Sequence, residues 1–274
     1  MNQEQTHKDM NEGVVIRNVS KMFYPNDAEP IEALKPVDLT IAPGEFVALI
    51  GPSGCGKSTL LNIIAGFDTA TAGSVLVFGE KVVKPNIKRG MVFQQYALFP
   101  WLNIRDNIAF GLRQQGMPRA EREKIANDYL DLVGLTGFGD AKPAALSGGM
   151  KQRVALARAF ATNPSTILMD EPFGALDALT RSFLQQELLR IWREHRKTVV
   201  LVTHSVQEAL FLATRVIVMT SRPGRVKLDQ RIELDYPRSI TDPRLRDLEA
   251  LLLDALHDEL RKTYGSAPAV LVSD

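Results

Sequence analysis

Apolar runs recur along most of the chain and alternate with segments of helical periodicity. They predict strands at residues 14–19, 37–41, 46–50, 73–78, 89–93, 166–169, 198–202 and 216–220. The run at 46–50 contains no polar position, which is typical of a parallel strand buried on both faces. A helix is predicted directly after it, at 59–65.

Longer helical patterns follow later in the chain. Helices are expected at 121–133, from Ser147 to about 162, and at 178–196, where apolar residues recur near one face. The segment from about 98 to 162 differs from the rest, because it is rich in helical patterns and punctuated by Gly and Pro. We therefore expect a mainly parallel α/β sheet, covered on both faces, with a helical subdomain inserted at about 98–162.

Composition is that of an ordinary globular domain and narrows the classes of function. The 274 residues are 45% hydrophobic and 24% charged, with a net charge of +1. This charge gives no bulk attraction to nucleic acid, so we expect no nucleic-acid partner. The single cysteine excludes an internal disulfide, which suits a reducing compartment, and no apolar run reaches the length of a membrane span.

A glycine-rich segment follows the buried run at 46–50 and opens the next helix. It fits the phosphate-binding pattern G-x-x-x-x-G-K-[ST]. Backbone N–H groups of such a loop cradle phosphates, the lysine reaches the β- and γ-phosphates, and the first hydroxyl binds Mg²⁺. The predicted ATP-binding residues of the loop are Gly51, Pro52, Ser53, Gly54, Cys55, Gly56, Lys57, Ser58 and Thr59.

Two acidic residues end the apolar run at 166–169. Asp170 stands where doubly wound sheets place their ligands, and a carboxylate there suits Mg²⁺. Glu171 follows it and is predicted to be the general base that accepts a proton from the attacking water. The alternative for Glu171 is an acid that only forms an ion pair at a strand end.

The segment Leu146-Ser147-Gly148-Gly149-Met150 precedes a predicted helix. A hydroxyl, bare N–H groups and a helix N-terminus together form an anion site. The same residues also fit an ordinary serine-capped helix start, and their pattern alone does not separate the two.

Taken in this order, the three segments resemble the nucleotide-binding subunit of an ABC transporter, over about residues 14–225. The resemblance implies a P-loop NTPase (RecA-like) core with an antiparallel β portion. It implies that Ser147, Gly148 and Gly149 bind the γ-phosphate of ATP held by the opposite subunit of a homodimer, in which two ATP molecules are sandwiched.

Further site residues come from the same resemblance. Gln94, in Val92-Phe-Gln-Gln-Tyr, matches a glutamine that touches Mg²⁺ or the attacking water. Asp177, in Ala175-Leu-Asp, matches a loop that communicates across the dimer. His204 matches a histidine that contacts the γ-phosphate. Adenine is expected to stack on Phe23 or, less favoured, Tyr24, although an aromatic in the core is the alternative.

Several segments resemble the importers of nitrate, taurine and alkanesulfonates, among them Ala97-Leu-Phe-Pro-Trp and Ser221-Arg-Pro-Gly-Arg. This resemblance implies integral-membrane permease subunits, a periplasmic or lipid-anchored substrate-binding protein, and a peripheral position on the cytoplasmic face of the inner membrane. Residues 98–101 would contact a permease helix, or only pack between subdomains. Arg222 and Arg225 fit a sulfate contact or, better, a solvated basic turn.

The predicted domains are a disordered tail at 1–12, an ABC ATPase domain at 13–235 and a helical extension at 236–274. In the extension, Leu245, Leu248, Leu252 and Leu256 recur at helical spacing. They favour docking onto this chain's own core over a dimer or regulatory contact. Two other functions stay open: a soluble ABC ATPase acting on ribosomes or DNA, and a nucleotide sensor without turnover.

Overall fold

The computed structural model describes residues 13–26, 29–174, 176–239 and 241–264. The predicted tail at 1–12, Ala175 and the end of the extension at 265–274 lie outside the described residues. A six-stranded sheet forms the centre, in the order β10-β9-β3-β8-β7-β6. Its strands are β3 (Phe46–Ile50), β6 (Arg89–Val92), β7 (Thr166–Asp170), β8 (Thr198–Val202), β9 (Arg215–Met219) and β10 (Val226–Arg231).

Five strands of this sheet are parallel, and only β10 pairs antiparallel, with β9. Every residue of β3, β8 and β9 is buried, since elements cover both faces of the sheet. The sheet is therefore the doubly covered, mainly parallel one that the apolar runs predict. Strand β10 was not predicted from the sequence, because its partly exposed residues give no apolar run.

A second sheet is antiparallel, in the order β2-β1-β4-β5. Its strands are β1 (Val14–Phe23), β2 (Ile31–Ile41), β4 (Ala72–Val77) and β5 (Glu80–Lys81). Both β1 and β2 are longer than predicted, because their outer parts, 20–23 and 31–36, mix buried and exposed positions and contain register shifts. The mixture of the two sheets with helices confirms the predicted fold class.

Seven α-helices and one 3₁₀ helix (Pro143–Ala145) complete the described part of the chain. The α-helices are α1 (Lys57–Ala65), α2 (Ile104–Gln114), α3 (Arg119–Leu132), α4 (Gly148–Ala161), α5 (Ala178–His195), α6 (Val206–Leu212) and α7 (Pro243–Tyr264). Helices α2, α3 and α4 pack on one another around their own apolar cluster, which includes Ile104, Leu130 and Val154. No helix of the described residues has the length and apolar character needed to cross a bilayer.

Helix α7 docks onto the body of the same chain. Leu245 and Leu252 are buried in the main apolar cluster, while Leu248 and Leu256 pack against it half-buried. The helix contacts α6 and β9. The structure thus contains the contact that the leucine spacing favours, in which the extension docks onto the core of its own chain.

Candidate nucleotide and catalytic site

The glycine-rich loop connects β3 to α1 and folds around the Lys57 side chain. The buried Lys57 ammonium donates hydrogen bonds to the carbonyl oxygens of Gly51, at 2.8 Å, and Pro52, at 2.9 Å. The buried Cys55 Sγ lies 3.5 Å from the same nitrogen. The loop therefore holds a positive charge at the N-terminal end of a helix, where an anion is stabilised.

Gly56 sets the shape of this loop. Its φ of +95° lies in the left-handed region, where side chains are strained. A Cβ at this position would also lie 2.5 Å from Leu34 Cδ2 and 2.9 Å from the carbonyl oxygen of Ala33. Both the backbone angle and the contact with β2 therefore require glycine here.

Ser58 and Asp170 meet beside the loop, although they are far apart in sequence. The Ser58 hydroxyl donates to Asp170 Oδ1 at 3.0 Å. Burial raises the pKa of the Asp170 carboxyl, the Ser58 hydrogen bond opposes that change, and the nearby Glu171 charge adds to it. A bound cation would favour the charged form, and hydroxyl and carboxylate oxygens are the ligands that Mg²⁺ prefers. The pair therefore fits a magnesium site completed by phosphates and water.

Two of the other predicted site residues lie beside the Glu171 carboxylate. Its Oε2 accepts a hydrogen bond from Gln94 Nε2 at 3.2 Å and lies 3.6 Å from His204 Nδ1. Its backbone is left-handed, with φ of +46°, and its N–H donates to the Val202 carbonyl at 2.9 Å. A non-glycine residue in this region is unusual and is found at functional positions. The turn after β7 thus directs Glu171 toward residues that follow β6 and β8.

A cleft of about 370 Å³ opens beside these groups. Predicted residues that line it are Phe23, Ser53, Gly54, Gly56, Lys57, Ser58, Thr59, Gln94 and Glu171. Phe23 is 40% exposed, with Lys21 Nζ 4.8 Å from its ring centre, whereas Tyr24 is 69% exposed. Three lining residues were not predicted as nucleotide ligands: Ile31 and Ala33 of β2, and Arg222.

Ser147 caps α4, since its hydroxyl accepts from the N–H of Met150 at 3.3 Å. Gly148 lies close to Tyr96, whose hydroxyl oxygen would be 2.9 Å from an added Cβ. The described residues that line the cleft do not include Ser147, Gly148 or Gly149. In one copy of the chain, this segment is therefore no part of the cleft wall.

Asp177 caps α5 and accepts a hydrogen bond from the N–H of Thr180 at 3.0 Å. Hydrogen bonding to Thr180 lowers the pKa of the Asp177 carboxyl below its usual value. Asp177 also lies outside the cleft. Its described contacts are those of a helix cap, and any role between subunits stays a prediction.

Comparisons with known proteins agree with this geometry. The ABC transporter family model matches residues 34–174. A taurine import ATP-binding protein of Ruegeria pomeroyi is 50% identical over 220 residues, covering 80% of this chain and 82% of that protein. A bicarbonate transport ATP-binding protein of Synechococcus elongatus is 48% identical over 227 residues, covering 82% of this chain and 34% of that protein.

Among solved structures, a dimeric ATP-binding cassette in a post-hydrolysis state, bound to ADP and Pi, is similar to this chain. Its sequence is 39% identical, and the match covers 81% of this chain and all of that one with a TM-score of 0.74. These matches confirm the family that the three motifs indicate. The chain belongs to the ABC transporter family, in which it is an ATP-binding subunit with ATPase activity.

Proposed function

We propose that this chain is the ATP-hydrolysing subunit of an importer for a small solute of the nitrate, sulfonate or taurine class. Residues 13–235 form its ATPase domain, with the helical subdomain at about 98–162, and residues 236–274 form the extension. Two copies bind ATP between them and drive permease subunits. The observation that carries the proposal is the gathering of Gln94, Glu171 and His204 beside the glycine-rich loop.

Hydrolysis follows from the positions of these side chains. Glu171 accepts a proton from the attacking water, while the Gln94 amide, 3.2 Å away, holds the carboxylate in place. His204 lies near the same carboxylate and contacts the γ-phosphate. Lys57 and the loop N–H groups bind the phosphates, and the Phe23 ring stacks on adenine. Ser58, Asp170 and Gln94 would hold Mg²⁺, which when bound neutralises charge that develops on the phosphates.

A homodimer completes each site. Ser147, Gly148 and Gly149 do not line the cleft of their own chain, and we assign them to the γ-phosphate of the ATP bound by the second copy, as the resemblance to ABC ATPases implies. Asp177 communicates across the same interface. ATP then favours the closed dimer because it contacts both copies, and loss of the γ-phosphate removes those contacts. The dimeric state of the similar cassette bound to ADP and Pi supports this arrangement.

The importer class is inferred from relatives and from one surface. The names of the similar proteins concern taurine import and bicarbonate transport. Phe99 packs on Phe110, with ring centres 4.4 Å apart, but Trp101 is 69% exposed. We assign the surface formed by residues 98–101 to the contact with a permease helix. The partners are then membrane permeases, with a substrate-binding protein acting through them, and the chain lies on the cytoplasmic face of the inner membrane.

Phosphate release tests the catalytic part. Replacing Glu171→Gln should slow hydrolysis by roughly 10²–10⁴-fold while MgATP binding and ATP-dependent dimerisation remain, because only the proton acceptor is lost. The matched control is Glu194→Gln on α5, where the side chain is exposed and pairs with Arg190. Turnover in Glu171→Gln equal to that of the control would remove Glu171 from the role of base.

A pull-down from detergent-solubilised membranes tests the transport part. We expect a multi-spanning permease and a substrate-binding protein to accompany the tagged chain. Trp101→Ala should release the permease and leave ATP hydrolysis unchanged, whereas Val83→Ala, another exposed apolar residue, should release nothing. Recovery of ribosomal proteins or DNA-bound partners in place of a permease would contradict the importer proposal.

A further inference from the structure

The turn between β9 and β10, Ser221-Arg-Pro-Gly-Arg, reaches the glycine-rich loop. Arg222 Nε donates a hydrogen bond to the carbonyl oxygen of Gly54 at 3.2 Å. The side chain is exposed and lines the cleft. Lys57 and Arg222 are the two cationic residues in that lining. In the part of the chain that the structure describes, no carboxylate lies within ion-pair distance of Arg222, so its charge is available to an anion.

The backbone of the turn is fixed against the same loop. A Cβ on Gly224 would overlap the carbonyl group of Cys55, so only glycine permits this approach. Gly224 also donates to the Ala33 carbonyl at 3.0 Å and accepts from the Lys35 N–H at 2.9 Å. The position of Arg222 relative to the loop is therefore set by the backbone contacts of Gly224, with the glycine-rich loop on one side and with β2 on the other.

The other side of the turn is anchored to the C-terminal helix. Glu259 Oε2 accepts from the N–H of Ser221 at 3.1 Å and from its hydroxyl at 3.3 Å. Glu259 is only 2% exposed, and Lys227 and Lys262 lie 2.9 and 2.7 Å from Oε1. A buried, ion-paired carboxylate in α7 thus holds the residue that precedes Arg222.

We propose that Arg222 is a further nucleotide-binding residue that contacts the phosphates of ATP and ADP, and that α7 positions it through Glu259 and Ser221. Guanidinium groups bind phosphate oxygens through charge-assisted hydrogen bonds, and these are the stronger ones in proteins. Arg225 lies in the same turn and is also exposed, but it does not line the cleft. This inference rests on the proposed nucleotide site.

Binding of MgATP and MgADP to the full chain, measured by calorimetry, tests the contact. Arg222→Ala should raise both dissociation constants about tenfold, the size of one charge-assisted hydrogen bond. Arg222→Lys should recover most of the affinity, whereas Arg222→Gln, which keeps a donor for Gly54 but no charge, should not. Arg225→Ala is the matched control and should change affinity less than twofold. The melting temperature without nucleotide should be the same in all four variants.

The outcomes are separable. If Arg222→Ala binds within twofold of the wild type, the inference is wrong. If Arg222→Gln restores binding as well as Arg222→Lys does, Arg222 only braces the loop, and the phosphate contact is refuted. Lys57→Ala reports on the proposed site itself: when it loses MgATP binding and Arg222→Ala does not, the site stands and only the role of Arg222 fails.

Discussion

Glu259 offers a test of how α7 is held to the body of the chain. The perturbation is Glu259→Gln, which keeps the shape of the buried side chain and removes its charge. Burial alone raises the pKa of the Glu259 carboxyl, but hydrogen bonds from Lys262, Lys227 and Ser221 outweigh this and lower it from 4.5 to about 2. At about 1.4 kcal/mol per pH unit, the charged form contributes roughly 3 kcal/mol to stability.

The sign of the pH dependence follows from that lowered pKa. A carboxyl with a depressed pKa in the folded state stabilises the protein above its unfolded pKa and loses this contribution as pH falls toward the folded pKa. The free energy of unfolding of Glu259→Gln should therefore be about 2–3 kcal/mol below that of the wild type at pH 7 and pH 5.5. At pH 3 the difference should be less than half as large, because the wild type has then lost most of the contribution.

Urea unfolding followed by tryptophan fluorescence measures this difference at each pH. Asp258→Asn is the control, since Asp258 lies 3.5 Å from Lys227 but is 58% exposed, so its removal should cost under about 0.5 kcal/mol. A difference between wild type and Glu259→Gln that is equal at pH 7 and pH 3 would refute the reasoning, because ionisation of Glu259 would not be its source.

Two other outcomes are expected. Asp170→Asn should require several-fold more Mg²⁺ for half-maximal ATP hydrolysis, because Ser58 keeps its hydrogen-bond partner but the site loses the negative charge that attracts the cation. A magnesium titration of phosphate release whose midpoint does not shift would contradict this. Trp192→Ala should lower the free energy of unfolding by about 3–5 kcal/mol, since this buried ring contacts Phe46 and Tyr236 edge-on. Trp192→Phe should lower it clearly less. Equal urea midpoints for Trp192→Ala and the wild type would contradict this prediction.

Much of the central sheet is predictable from the sequence, because buried parallel strands leave uninterrupted apolar runs. The run at 46–50 coincides with β3, and the predicted strand at 198–202 with β8. The elements that escaped prediction are α6, β5, β10 and the outer parts of β1 and β2, and the strands among them are partly or fully exposed. The partners of these strands are near in sequence, since β10 pairs with β9 and β1 with β2, but their partly exposed residues leave no uninterrupted apolar run to indicate a strand.

Some residues of the site are likewise predictable from the sequence, and others are placed only by the fold. Local motifs identify Lys57, Ser58, Asp170 and Glu171, because the chemistry needs a fixed spacing of a few residues around one loop or strand end. Phe23 and Tyr24 are neighbours with similar side chains, so the sequence cannot choose between them, while in the fold Phe23 is the one that lines the cleft. Phe23 is the last residue of β1, whereas Tyr24 follows the strand and does not line the cleft.

The sequence by itself determined the family, the phosphate loop and the positions of most buried strands, since each is written in short contiguous segments. Only the tertiary structure decided that Glu171 meets Gln94 and His204, and that Arg222 lies between Gly54 and the segment anchored by Glu259. The physical reason is that these contacts join residues tens to more than a hundred positions apart, and such distances are closed by sheet order and helix docking rather than by local propensity.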